Sequence, residues 1–202
     1  VLQLNFDRSH IDEYFKLINP DKDSHPFIFD CHPVLKKSGF TLAWARLDVD
    51  LENGELLIEE IQYDWLREAK DSMQWAKDAI AREAKREKSV QKTLKWANDE
   101  IRYYEESLKD YIKIWDEAIL NLAIQFGAKE LGCNQIYYHT FESGNKLKGL
   151  SEWSQPPRSL YTKLPKRFGF QLTDEAPGML KNDKKLRKKL RNNNLKWFSM
   201  KF

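Results

Sequence analysis

Cysteine, histidine and patterned glycine are scarce in this chain, and each shortage removes a class of protein. Cys31 and Cys133 are its two cysteines, about 100 residues apart and without a CxxC partner. Neither a zinc site nor a disulfide framework is indicated, and both thiols are expected to be reduced and structural. Four scattered histidines give little material for a metal site. No Walker loop, GxGxxG, HExxH, GxSxG or EF-hand pattern is present, which removes the usual support for ATPase, dehydrogenase, zincin, serine hydrolase and calcium-sensor readings. No apolar run approaches the ~20 residues needed to span a bilayer, and VLQLNFDRSH lacks the basic and then apolar pattern of a signal peptide. A cytoplasmic protein without membrane contact is expected.

Charge is what the chain has in quantity. Of 202 residues, 32% are charged and 41% hydrophobic, a mixture that suits one globular domain over residues 1–202 with long solvated helices. The net charge of +3 hides an asymmetry. Residues 156–202 hold 13 Lys/Arg against 3 Asp/Glu, a local +10, which leaves −7 for the first 155.

Turn signals divide the chain. VLQLNF reads as a short strand and Ser9 to Ile18 as a helix ended by Pro20. The following loop holds a short FIF strand and the run Asp30, Cys31, His32. Neighbouring side chains in extended chain point opposite ways, so that run does not make a nucleophile and base. FTLAWARLDVDL and ELLIEEIQYDW flank Asn53-Gly54, the strongest short-range mark of a two-residue hairpin turn. Such a turn sets Glu52 opposite Glu55, Val49 opposite Ile58, Leu47 opposite Glu60 and Ala45 opposite Gln62. One face then collects Ala43, Ala45, Leu47, Val49, Leu51, Leu56 and Ile58 before turning acidic at Glu60, Gln62 and Asp64; Arg46 and Glu59 lie on the other. An apolar face that ends in acid suggests a core opening into a cleft. The alternative is that Glu60 and Gln62 meet cations or backbone donors at the sheet margin. Asp64 is expected to cap the helix that begins at Trp65.

From residue 65 to Phe126 there is neither Gly nor Pro, and Ala, Glu, Lys, Arg and Leu dominate. Apolar residues recur at alternating spacings of three and four through Leu66, Ala69, Met73, Ala76 and Ile80, and again from Val90 to Trp115. The seam lapses between them, where Glu83 and Glu87 fall in it. An antiparallel helical hairpin over residues 65–115, turning near Lys85 to Ser89, is the simplest fold; a continuous long-helix dimer is the alternative. Trp75, Trp96 and Tyr103 lie off the seam, either as an aromatic flank for a protein partner or against neighbouring stems. DEAILNLAIQFGAKELGC then reads as a helix ended by Gly132, NQIYYHTF as a buried strand, SLYTKLPKRFGF as a short helix interrupted by Pro165, QLT as a strand and LKWFSMKF as a terminal strand. Residues 178–193 form a basic segment.

The order of these elements resembles the GNAT acetyltransferase fold over residues 40–64 and 116–173, with AILNLAIQFGAKELGCNQIYYHT followed by SLYTKLPKRFGF as the local match. The resemblance implies an α/β (α+β) class, a mixed sheet with flanking helices into which the long antiparallel hairpin is inserted. It implies that Glu60, or Glu59 on the other face, stands where that family often carries a carboxylate general base, and Tyr161 where it often carries a general acid. Gln62, His139 and Arg46 would complete a substrate-binding cleft; His139 is equally placed as a satisfied sheet residue. Where the family carries a Gln or Arg and spaced glycines to cradle pyrophosphate, this chain reads YDWLREAKDS, without glycine. No cofactor is therefore expected, and any enzyme would be a GNAT-like acyltransferase lacking the ordinary acetyl-CoA site. IEEIQYDW is also similar to a segment of large polyvalent proteins of phages and mobile elements. Two functions compete: a divergent GNAT-like small-molecule or amine binder, and a binding module of a mobile-element-related system. The module would present its hairpin to a protein partner or a second copy, and Lys184, Lys185, Arg187, Lys188, Lys189 and Arg191 to nucleic acid.

Overall fold

The computed structural model describes residues 2–5, 41–86, 88, 90–107, 109–148, 157–182, 184, 187–188, 190 and 194–202. The helix expected from Ser9 to Ile18, the FIF strand, the Asp30-Cys31-His32 run, Lys185, Lys189 and Arg191 lie outside the described residues. The chain is mixed α/β and divides into two compact units. One comprises residues 1–2, 44–62 and 116–202, the other residues 3–43 and 63–115.

Six strands make one sheet: β1 (Leu2–Asn5), β2 (Thr41–Asp50), β3 (Glu55–Gln62), β4 (Gln135–His139), β5 (Gln171–Thr173) and β6 (Trp197–Lys201), in the order β1-β2-β3-β4-β6-β5. β3 and β4 run parallel, whereas β2–β3, β4–β6 and β5–β6 are antiparallel. Leu56, Leu57, Ile58 and Ile61 of β3 are all fully buried. A central strand covered on both faces requires such a nearly continuous apolar run.

The hairpin register differs from the one expected. Asp50 pairs with Glu55 and Val49 with Leu56, so Leu51 to Gly54 form a four-residue loop. Asp50 decides this. Its carboxylate accepts from the Asn53 N–H at 3.1 Å and from Asn53 Nδ2 at 2.8 Å, and this side-chain closure displaces the two-residue turn. The same bonds hold the Asp50 carboxyl below its usual range, the side-chain one most. Val49 and Leu51, expected in the core, are 42% and 66% exposed.

Further along, Leu47 pairs with Ile58 but Arg46 pairs with Glu60, leaving Glu59 as an extra residue on β3, a bulge. Beyond it Trp44, Arg46, Glu60 and Gln62 share one face, and Ala45 and Ile61 the other. The expected Leu47–Glu60 and Ala45–Gln62 pairs do not form.

After the hairpin unit, α3 (Lys109–Gln125) ends in a π-helical turn, Phe126–Glu130. Gly127 is there because a Cβ would meet Leu56 and Ile136 at 3.0 Å; the close approach seats the turn on the sheet. Gly132, at φ 66°, then reverses the chain into β4. α4 (Phe141–Lys148), a 3₁₀ turn (Arg158–Tyr161), α5 (Leu164–Arg167) and α6 (Gly178–Asn182) complete this unit.

In the other unit, α1 (Asp64–Glu83) and α2 (Gln91–Ser107) form an antiparallel hairpin around Ala76, Ala79 and Ala97, with Ile80 and Ile101 against them. Alanine at these positions lets the two backbones approach closely. The buried Glu83, an anomaly in an apolar seam, clasps the turn: it accepts from the Val90 N–H at 2.8 Å and pairs with Arg86 at 2.8 Å. The helix starts one residue earlier than expected, with Tyr63 and not Asp64 at the N-cap position. Trp75 and Trp96 are 66% and 45% exposed, while Tyr103 is buried.

Gly54 has φ 65°, and its carbonyl accepts from both Asn134 and Gln135, joining the loop to the start of β4. Gly54→Ala is expected to destabilise by roughly 1–2 kcal/mol, the cost of a left-handed L-residue, as read from the midpoint of urea unfolding. An unchanged or raised midpoint would contradict this turn geometry.

Candidate functional site

Arg46, Glu59, Glu60 and Gln62 lie where the pairing of β3 with β4 gives out. The parallel ladder runs from Glu55–Gln135 to Ile58–Tyr138 and stops, although β3 continues to Gln62. β4 ends at His139, and Thr140 turns the chain into α4. The ladder therefore stops at the Glu59 bulge.

On one face of this opening lie Arg46, Glu60 and Gln62. Glu60 is only 8% exposed, and the half-exposed Arg46 guanidinium reaches it at 3.1 Å and Glu59 at 3.7 Å. Arg46 also lies over the Trp44 ring, 6.0 Å from its centroid. A charge-assisted partner is what makes a buried carboxyl tolerable on a sheet. Gln62 is half-buried at the strand end.

His139 falls on the same face, through its pairing with Trp197, and it is buried. Its Nδ1 is 3.2 Å from Ser143 Oγ. Ser143 N–H donates to Thr140 Oγ1 at 3.1 Å, which caps α4, while Thr140 Oγ1–H donates to the Lys196 carbonyl at 2.8 Å. Ser143 Oγ–H donates to the Thr140 carbonyl at 3.1 Å. Nδ1 then carries the proton and donates to Ser143, an assignment made from the network. These bonds fix the ring at the junction of β4 and α4.

Tyr161 lies on the opposite face. Its ring stacks on Tyr138, with centroids 5.3 Å apart and planes 15° apart, and Phe170 approaches Tyr138 at 6.4 Å. The register therefore places Glu60 and Tyr161 on opposite faces, so the two do not meet as a side-by-side acid–base pair.

Two residues of this region escaped the sequence reading. Tyr138 is wholly buried, and its hydroxyl has no hydrogen-bond partner among the described residues. Burial, then Tyr161 and Asp116, push that hydroxyl well above its usual range. An unsatisfied buried hydroxyl costs about 1–3 kcal/mol. Asp116, on α3, is half-buried and raised, chiefly by desolvation, although the Glu117 N–H bonds it at 2.9 Å. Arg167 is paired with the adjacent Glu117. The adjacent pair Tyr137-Tyr138 in a strand buried on both faces was the available signal, because alternation forces both hydroxyls inward on opposite sides. Asp116, in an amphipathic helix, gave none.

An open depression of about 460 Å³ lies elsewhere, along β5 and β6, lined by Gln171, Thr173, Glu175, Ser199 and Lys201; none of the expected site residues lines it. Among the described residues no group of three or more His, Cys, Asp or Glu could hold a metal ion, and no helix is long and apolar enough to cross a membrane. Comparison of the chain with protein-family models, with curated proteins and with solved structures finds no match.

Asp116 supplies a test of the region's energetics. Its folded pKa is raised above the unfolded value, so the native state binds more protons between the two, and stability falls as pH rises through that window. Asp116→Asn is therefore expected to raise the melting temperature at pH 7, with the gain shrinking toward pH 4. A fall at pH 7 would contradict the burial cost assigned to this carboxyl.

Proposed function

We propose that the sheet unit is a divergent GNAT-like domain that binds a small molecule carrying an amine at the opening between β3 and β4, without ordinary acetyl-CoA chemistry. The observation that carries the reading is the early end of the parallel ladder at Ile58–Tyr138, beside the bulge that brings in Glu59 and Glu60. The ladder to β4 has ended past Ile58, so a ligand there meets the side chains of Glu59, Glu60 and Gln62. Carboxylates and the Gln62 amide on one face attract a protonated amine. From the other face the Tyr138 hydroxyl offers a hydrogen bond and Tyr161 an aromatic surface.

The connectivity supports the resemblance: a strand, a helical crossover and a parallel strand, followed by closing strands that pair antiparallel. The helix entering after β3 begins without glycine, which supports the reading that pyrophosphate is not cradled there. In this proposal the resemblance assigns to Glu60 the contact with the bound amine and to Tyr161 the aromatic wall on the other face. IEEIQYDW, which contains the bulge, ties the domain by resemblance to mobile-element proteins.

Thermal denaturation against aliphatic mono- and diamines, and against acetyl-CoA, tests the proposal. A ligand at a hundred times its dissociation constant adds about 2.7 kcal/mol, so an amine is expected to stabilise the parent chain and not Glu60→Gln, while acetyl-CoA shifts neither. No amine shift in the parent, or equal shifts in both chains, would remove the site.

A further inference from the structure

The described cations of the C-terminal basic segment, Lys181, Lys184, Arg187 and Lys188, are exposed. The segment starts where the Gly178 N–H donates to Glu55 Oε2 at 2.7 Å, with a Cβ at Gly178 meeting that oxygen at 3.0 Å. The segment is thus held against the first residue of β3. Leu180 belongs to the core formed with Leu57, Tyr137, Leu147, Leu195 and Trp197, and Met179 and Leu190 pack against it. Lys184, Arg187 and Lys188 are helical, and with Lys181 they are exposed. None of the four takes part in an ion pair among the described residues. Arg187 Nε–H donates to the Lys181 carbonyl at 2.8 Å, which fixes the guanidinium beside Lys181 and leaves its other N–H groups for a ligand.

We propose that Lys181, Lys184, Arg187 and Lys188 form a binding surface for the phosphodiester backbone of a nucleic acid. The surrounding residues 156–202 carry a local charge of +10, so the strip sits in a field that attracts polyanions. Guanidinium and ammonium groups match phosphate oxygens. A helix bound to a lipid surface inserts its apolar side; among the described residues of this segment Leu180 and Leu190 pack in the core, which leaves cations outward. That favours a nucleic acid over an anionic membrane. With these groups alone, recognition is of backbone and not of sequence. This surface is independent of the amine site.

Fluorescence anisotropy of the full chain with labelled 20-mers, duplex and single-stranded, across 50 to 300 mM salt tests the proposal. The parent is expected to bind both with a negative log–log salt slope. The triple variant Lys184→Gln, Arg187→Gln, Lys188→Gln is expected to lose about 2–3 units of that slope on duplex, and Lys188→Gln alone about one, at roughly 0.9 per phosphate contact. Lys77→Gln, Lys92→Gln, Lys95→Gln removes equal charge from the helical hairpin and serves as control. No binding at 50 mM, a flat salt response, equal weakening in the control, or binding to anionic vesicles but not to oligonucleotides would each overturn the assignment. If the triple variant has a lowered melting temperature, the single variant decides.

Discussion

β3 is buried on both faces, and the rest of the sheet unit is arranged around what that demands. A strand of this kind has to be apolar where both sides are covered, and Leu56, Leu57 and Ile58 satisfy this over the stretch that pairs with β2 and β4. The polar residues Glu59, Glu60 and Gln62 follow the point where the ladder to β4 ends. The bulge at Glu59 comes at that point, flips the remainder of the strand, and turns Glu60 toward Arg46. The carboxylates of IEEIQ are thus concentrated at the end where the ladder from β4 stops.

Close approach of backbone is the second constraint. Gly127 lets the π turn press on Leu56 and Ile136, and the Gly54 carbonyl takes the first two N–H groups of the β4 segment. Both contacts lock the parallel neighbour of β3 at one end and leave the other end to part. The helical hairpin solves its own problem separately, with an alanine seam and with Glu83 tying the turn. Each unit therefore has an internal reason to fold.

Much of this was legible in the residues. The apolar runs, Asn53-Gly54, the Gly-free helical stretch and Gly132 place the hairpins, the crossover and β4 by local propensity alone. Register was not, because Asp50 closes the loop through side-chain bonds that no dipeptide preference contains, and the bulge adds a residue that strict alternation has no place for. The longer loop leaves Val49 on its expected face but exposed beside the turn and takes Leu51 off the strand, while the bulge brings Arg46 and Glu60 onto a shared face. Tyr138 and Asp116 were missed for a different reason. Their interest lies in what surrounds them after folding, and burial of a hydroxyl or a carboxyl is a tertiary fact.

The central claim is that β3 is fully paired up to Ile58 and opens toward β4 beyond it. Amide hydrogen exchange, resolved by residue, tests it most directly. Ladder amides from Glu55 to Ile58 and from Ile136 to Tyr138 should exchange only with global unfolding, while those of β3 past the bulge that point toward β4 should exchange by local opening and slow when an amine is bound. Uniform protection across Glu55 to Gln62, unaltered by any amine, would show a closed sheet and contradict the account.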